Sequence, residues 1–356
     1  MTHASARPRT RRRVALAAAI AAALSLAGCA TPAGTEPSTS ASTAASTATV
    51  TIEHAYGGTV IPHKPQRIVT LGWMTSDVVA ALGTNPVGME EVWGTDESGY
   101  QPWFEEYVTE QYGELPTLIP PTEDGPNYEA IMALQPDLIL SLYSGITDVE
   151  YERLSEIAPT VPYLERPWDA GTWQDLTRVV GRAMSEDARA EALIADTEGQ
   201  IADLAAAHPE FEGKTFVWGL TLDEGGTDLG VYLSYDPRVR ITEALGFVST
   251  SAMDEFASTA EGDNWYSGVS LERLSDVQAD LFVGWGSGRD QAEYSVQNKV
   301  FSRWAPIAAG AYVYYTDATD ASAISAPTVL SLPFILPRYV DDLAAALRGE
   351  PTIAAQ

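Results

Sequence analysis

The sequence predicts an α/β protein of two similar lobes with parallel sheets, joined by one long α-helix. Three observations lead there. Short β-rich runs alternate with helical segments, the pattern of parallel strands covered on both faces. A helix–strand unit occurs twice, as Asn127-Tyr128-Glu129-Ala130-Ile131 running into Gln135-Pro136-Asp137-Leu138, and as Ser270-Leu271-Glu272-Arg273-Leu274 running into Gln278-Ala279-Asp280-Leu281. Between the copies, residues 185–207 carry the longest uninterrupted helical signal in the chain.

The chain opens on a targeting segment. Arg11–Arg13 form a charged start, and Val14 to Leu26 an apolar run too short to be a convincing membrane span. Leu26-Ala27-Gly28-Cys29 follows, and Cys29 is the only cysteine, which excludes disulfides and thiolate metal clusters. Residues 1–28 are therefore expected to be a signal peptide. Residues 29–49, rich in Ser, Thr, Ala and Pro, should form a flexible linker.

The expected N-terminal lobe covers residues 50–168. Arg67–Leu71 and Pro86–Gly88 read as strands, with a helix from Ser76 to Leu82 between them that ends on Gly83. The first repeated unit supplies the next helix and strand. Tyr151 to Ile157, stopped by Pro159, reads as another helix, and Thr160 to Leu164 as a strand. Residues 169–207 form a connecting segment containing the spanning helix. Ser185 is its expected N-cap, Glu186 and Asp187 suit the positive helix start, and Pro209 lies just past its end. The C-terminal lobe is expected over residues 208–350, with Lys214–Leu220 a strand, Arg238–Leu245 a helix ending at Gly246, and then the second unit. Residues 351–356 are expected to be a tail.

In each unit the glutamate precedes the aspartate by eight residues. Asn127 and Ser270 are the expected N-caps, which puts Glu129 and Glu272 in a first helical turn. A glutamate there complements the helix dipole, an effect of about 0.3–1 kcal/mol.

A chain of 356 residues with 45% apolar content can build full cores. Its 49 acidic residues oppose 21 basic ones, and five of the basic ones precede residue 29. Such a surface offers no basic patch for nucleic acid. The histidines His3, His54, His63 and His208 show no metal-ligand spacing. Adjacent carboxylates such as Glu90 with Glu91, or Asp223 with Glu224, point apart on a strand. The Gly-x-Ser-x-Gly, P-loop and Gly-x-Gly-x-x-Gly patterns are absent from the sequence, so no enzyme is expected.

Several motifs in order resemble the periplasmic iron-siderophore and cobalamin substrate-binding proteins of ABC importers. They are Pro65-Gln66-Arg67-Ile68-Val69, Ala81-Leu82-Gly83 with Pro86-Val87-Gly88, Glu129-Ala130-Ile131 with Leu134–Ile139, Ile157-Ala158-Pro159-Thr160-Val161, and Ser325-Ala326-Pro327 with Leu330-Ser331-Leu332-Pro333. Leu26–Cys29 resembles a bacterial lipobox, which implies a membrane anchor through lipidated Cys29. The resemblance implies two Rossmann-like lobes, a single spanning helix and a ligand in the cleft between them. It also implies that Glu129 and Glu272 dock the permease, one from each lobe. A monomer that binds a ferric siderophore, with no cofactor of its own, is expected.

Ligands of open α/β sheets bind beyond the carboxyl ends of the strands. Trp73, Trp93, Tyr143, Trp168 with Arg166, Trp218, Tyr232, and Trp285 with Arg289 stand at or near such ends and are candidate ligand contacts. Tyr151 stands where ferrichrome-type binders carry a ligand-contacting tyrosine. Aromatic walls with a few Arg and Tyr donors suit a bulky ferric chelate. The stretch Thr122–Pro126 lacks the arginine that ferrichrome-type binders place there, so Arg166 or Arg289 is the expected substitute. The acidic composition favours a neutral or cationic hydroxamate chelate of the ferrioxamine kind, with cobalamin or haem as alternatives.

Overall fold

A computed structural model describes residues 49–253, 255 and 266–354. The leader, Cys29 and nearly all of the linker lie outside the described residues. A hairpin of β1 (Val50–His54) and β2 (Gly57–Ile61) precedes the first lobe. That lobe is a wholly parallel sheet in the order β5 (Thr117–Ile119), β4 (Gly88–Glu90), β3 (Ile68–Thr70), β6 (Leu138–Ser141), β7 (Thr160–Pro162). Helices α1 (Thr75–Ala81), α2 (Pro102–Tyr112), α3 (Tyr128–Ala133) and α4 (Asp148–Ser155) connect the strands, and α5 (Trp173–Ala183) follows them. Successive strand residues serve opposite faces. Ile68, Leu138 and Leu140 enter one apolar core, Val69 and Ile139 the other.

The second lobe repeats this plan with an antiparallel edge. Its sheet runs β11 (Tyr266–Ser270), β9 (Asp228–Tyr232), β8 (Thr215–Leu220), β12 (Leu281–Trp285), β13 (Tyr312–Tyr315), β14 (Thr352–Ala354). β8, β12, β13 and β14 are parallel, whereas β9 pairs antiparallel with both β8 and β11. The short strand β10 (Val248–Ser249) joins β8 in parallel. Helices α7 (Pro237–Ala244), α8 (Arg289–Gln297), α9 (Ala305–Ala308), α10 (Ala318–Ser325) and α11 (Ser331–Leu347) belong to this lobe. Strand alternation again divides two cores, with Phe216, Trp218, Leu281 and Val283 on one side and Val217 and Phe282 on the other.

The spanning helix is α6 (Asp187–Ala207). Ala190 near its start lies in the first-lobe core, while Ile194 and Ile201 enter the core that also holds Trp218 and Tyr339 of the second lobe. Ser185 is not its N-cap. Ser185 has φ 56° and closes α5 instead, because Glu186 N–H reaches back to Gly181 O at 2.7 Å in a Schellman-type turn. The expected connecting segment also shortens, since Leu176, Val180 and Ala183 of α5 pack in the first-lobe core. The expected tail is in part a strand: β14 pairs with β13.

The repeated units agree in what their aspartates do. Asp137 accepts hydrogen bonds from the backbone N–H of Arg67 at 2.8 Å and of Gln66 at 2.8 Å, just before β3. Asp280 accepts from the Thr215 N–H at 2.9 Å and hydroxyl at 3.0 Å, at the start of β8. The helices differ. Asn127 caps α3 by accepting from Ala130 N–H at 3.1 Å. Ser270 makes no cap bond and is the last residue of β11, and the turn after it, Leu271–Asp276, is a 3-10 helix. The β9–β11 pairing holds Ser270 extended, and Leu271 N–H is already spent on Thr227 O at 2.9 Å.

One buried carboxylate joins the lobes. Asp77 of α1 accepts from the Trp103 indole N–H at 2.8 Å and from the Thr328 hydroxyl at 2.7 Å, and Thr328 lies between α10 and α11. Burial pushes the Asp77 carboxyl up to about 6, against the pull of those two hydrogen bonds. A raised carboxyl favours folding below its unfolded pKa, and the benefit disappears as pH rises through 6. Replacing Asp77 with Asn removes this titration. The stability difference between the native protein and Asp77→Asn should move against the native protein by about 2–3 kcal/mol from pH 4 to pH 7.5. Denaturant unfolding of both proteins across that range checks it; a constant difference contradicts it.

Candidate functional site

Five candidate aromatics form one continuous cluster at the strand ends. Trp73 follows β3, and its ring centroid lies 5.8 Å from Trp93, 5.8 Å from Tyr143 and 6.0 Å from Trp168. Trp93, in the loop after β4, lies 5.3 Å from Trp285 at the end of β12. The cluster therefore joins the two lobes.

Backbone geometry brings the first-lobe rings together. Gly72 has φ 76°, and a side chain there would meet Tyr143 O at 2.4 Å, so only glycine lets this loop lie against the next. Trp73 N–H then donates to Tyr143 O at 2.9 Å, and Trp168 N–H to Ser144 O at 2.8 Å. Glu90, at the end of β4, accepts from Gly72 N–H at 2.7 Å. Burial holds the Glu90 carboxyl above its ordinary range, opposed by that bond and reinforced by nearby Glu150.

Beneath Trp285 lies a layer of polar groups. The Trp285 indole N–H donates to Tyr232 OH at 2.7 Å, and the Arg238 guanidinium covers the Tyr232 ring at 3.7 Å from its centroid. Asp236 grips Arg238 through two oxygens, from Nε at 2.8 Å and Nη2 at 3.0 Å, and Nη1 donates to Ser325 Oγ at 3.0 Å. Burial pulls the Arg238 pKa down, but Asp236 more than restores it, so the cation persists. Burial likewise raises the Tyr143 hydroxyl, which Arg238 pulls back and which stays a neutral donor at physiological pH.

The sequence did not single out Arg238. It lies in the first turn of α7, after the antiparallel strand β9 and away from the parallel strand ends. The pattern Asp236-Pro237-Arg238, a capping acid two residues before an arginine, was its available signal.

Other candidates are placed elsewhere. Trp218 is a correction: only 1% exposed, it faces the core and donates its indole N–H to Tyr339 OH at 3.0 Å. Residue 218 shares its strand face with core residue Phe216, which leaves it no access to a ligand. Tyr232 is buried below Trp285 and supports that ring. Tyr151 packs on the β1–β2 hairpin, with its ring 5.1 Å from His54 and 5.2 Å from Tyr56. Arg289 is turned to the edge of its lobe, paired with Glu293 at 2.7 Å and donating to Ile353 O at 3.2 Å. Arg166 pairs with Asp169 at 2.7 Å, its guanidinium 5.8 Å from the Tyr235 ring, beside a cavity that Arg240 also lines.

Glu129 and Glu272 are both exposed, the first on α3 and the second on the 3-10 turn. Among the described residues no group of three or more His, Cys, Asp or Glu could hold a metal ion, and no helix is long and apolar enough to cross a membrane.

Comparisons with known proteins agree with this architecture. Residues 68–317 match the family model described as periplasmic binding protein. The probable siderophore-binding lipoprotein YfiY of Bacillus subtilis is 29% identical over 246 residues, which cover 69% of this chain and 71% of the relative. The Fe(3+)-citrate-binding protein YfmC of the same organism is 27% identical over 235 residues, 65% of this chain and 67% of that one. The crystal structure of PiaA from Streptococcus pneumoniae in complex with ferrichrome superposes with a TM-score of 0.74 at 30% identity, covering 84% of this chain and 99% of PiaA. With its two α/β lobes, single spanning helix and aromatic cleft, the chain belongs to the periplasmic binding protein family.

Proposed function

We propose that this protein is a monomeric, lipid-anchored substrate-binding protein that captures a ferric siderophore in the inter-lobe cleft and delivers it to an ABC importer permease. The observation behind this reading is the aromatic cluster shared by the lobes, which includes the Tyr143 hydroxyl and has Arg238 beside it. A ferric chelate arrives with its iron already coordinated. It presents apolar arms and carbonyl or hydroxamate oxygens, which indole walls and a few fixed donors can hold without a protein ligand to the metal. Ferrichrome, the partner of PiaA in its crystal structure, is a hydroxamate, and this favours a hydroxamate here.

Binding should quench the fluorescence of the tryptophans, several of which stand in the cluster. Ferrichrome or ferrioxamine B should do so at micromolar concentration or below. Removing one central ring from each lobe, as Trp73→Ala with Trp285→Ala, should weaken binding at least tenfold, since buried aromatics dominate such interfaces. If no siderophore, cobalamin or haem quenches the native protein at that concentration, the reading fails.

In this reading Glu129 and Glu272 meet basic residues of the permease, one on each lobe. Glu129→Ala combined with Glu272→Ala should abolish uptake of labelled chelate by cells while the dissociation constant stays within twofold. A comparable loss of chelate affinity would refute the docking role.

Cys29 carries the anchor. Support comes from Leu26-Ala27-Gly28-Cys29 and from the lipoprotein relative YfiY. Cys29→Ser should move the protein from the membrane fraction to the soluble one; unchanged membrane association rules the anchor out.

A further inference from the structure

The charges around the cleft are unevenly compensated, and the imbalance says which ferric chelate the cleft accepts. Arg238 is the arginine beneath the aromatic cluster, and its charge is already neutralised within the protein. Buried Asp236 takes two of its N–H groups, and Ser325 takes a third. Arg238 can still donate hydrogen bonds, but it offers no net positive charge to an anionic chelate. Glu90 contributes a half-buried carboxylate on the first-lobe side.

Trp285 has a second environment. Beside the cluster it also lines a cavity of about 450 Å³, together with Thr221, Asp223, Asp228, Tyr266 and Gln291. Among the described residues, the charged ones lining this cavity are the two aspartates. Asp228 accepts from the Thr227 hydroxyl at 3.0 Å, and neither aspartate meets a basic side chain among the described residues. Gly230, Gly268 and Gly286 line it as well, which keeps its walls free of bulk. The indole that holds the chelate thus borders a pocket with two carboxylates and two aromatic rings. That combination recognises an alkylammonium, through the ring quadrupoles and through a charge attraction that salt screens.

We propose that the siderophore carries a protonated amine arm, and that the cavity lined by Asp223, Asp228, Tyr266 and Trp285 receives it. This inference rests on the siderophore-binding reading and adds the charge of the ligand to it. A chelate with an ammonium arm is held at two places, its iron core in the aromatic cluster and its arm past Trp285. An anionic ferric carboxylate meets carboxylates in the second place.

Ferrioxamine B, which bears a primary ammonium, and its N-acetylated derivative, which is neutral there, separate the two contributions. Titration of the purified protein with each should show the ammonium form binding at least tenfold tighter. The preference should shrink as salt rises from 50 to 500 mM. In Asp223→Asn combined with Asp228→Asn, the affinity for ferrioxamine B should fall to within twofold of that for the acetylated form. Equal affinities in the native protein, or a preference that survives the double substitution, overturn the proposal and leave siderophore binding standing. If neither of these nor ferrichrome binds, the siderophore reading falls, and the amine pocket with it.

Discussion

Each lobe depends on a carboxylate that ties the start of one strand to the start of its neighbour. Asp137 holds the backbone before β3, and Asp280 holds the first residue of β8. Asp137 is half-buried and Asp280 exposed, and in both a carboxylate accepts from backbone N–H, the stronger class of hydrogen bond. Parallel strands have no hairpin to set their register. The aspartates do this in both lobes, and Asp280 N–H and Asp137 N–H answer with bonds to Thr215 O and Arg67 O. With the starts level, the opposite ends of β3, β6, β8 and β12 come out together. Trp73, Tyr143 and Trp285 of the aromatic cluster stand at the ends of β3, β6 and β12.

Most of the fold was legible in the sequence because parallel strands and their helices leave strong local marks. Gly83 and Gly246 end helices with φ of 100° and 105°, and Asn127 caps α3. The errors came where a tertiary contact overrode a local signal. Ser185 looks like a helix start but serves the end of the preceding helix. Ser270 looks like a cap but belongs to a strand pair whose partner, β9, gave no clear mark. Of the candidate site, Trp73, Trp93, Tyr143, Trp168 and Trp285 could be found because a positional rule covers strand ends. Trp218 stands inside β8, where two-residue alternation with Phe216 already assigned it to the core. Arg238 escaped because its place depends on the β9–α7 corner and on a buried partner two residues away.

The buried charges are handled differently in the two lobes. Arg238 is kept ionised by Asp236, a closed pair in which both members are shielded. Asp77 has hydrogen bonds but, among the described residues, no basic partner close enough to perturb it, so burial tells and its proton is held to higher pH. The first arrangement gives the cleft donors without net charge. The second places a group that titrates near pH 6 on the contact between the lobes. Both follow from the same cost of taking an ion out of water.

Each lobe is also drawn from one unbroken stretch of chain, with α6 between them. Every strand pair in a sheet therefore closes within its own lobe, whereas the Asp77–Thr328 hydrogen bond spans 251 residues. Loop-closure entropy penalises the distant contact most. On the way to the native state the two sheets should assemble separately, and the Asp77–Thr328 bond should form late. It would then act as a checkpoint, completed only when two finished lobes meet in the right orientation.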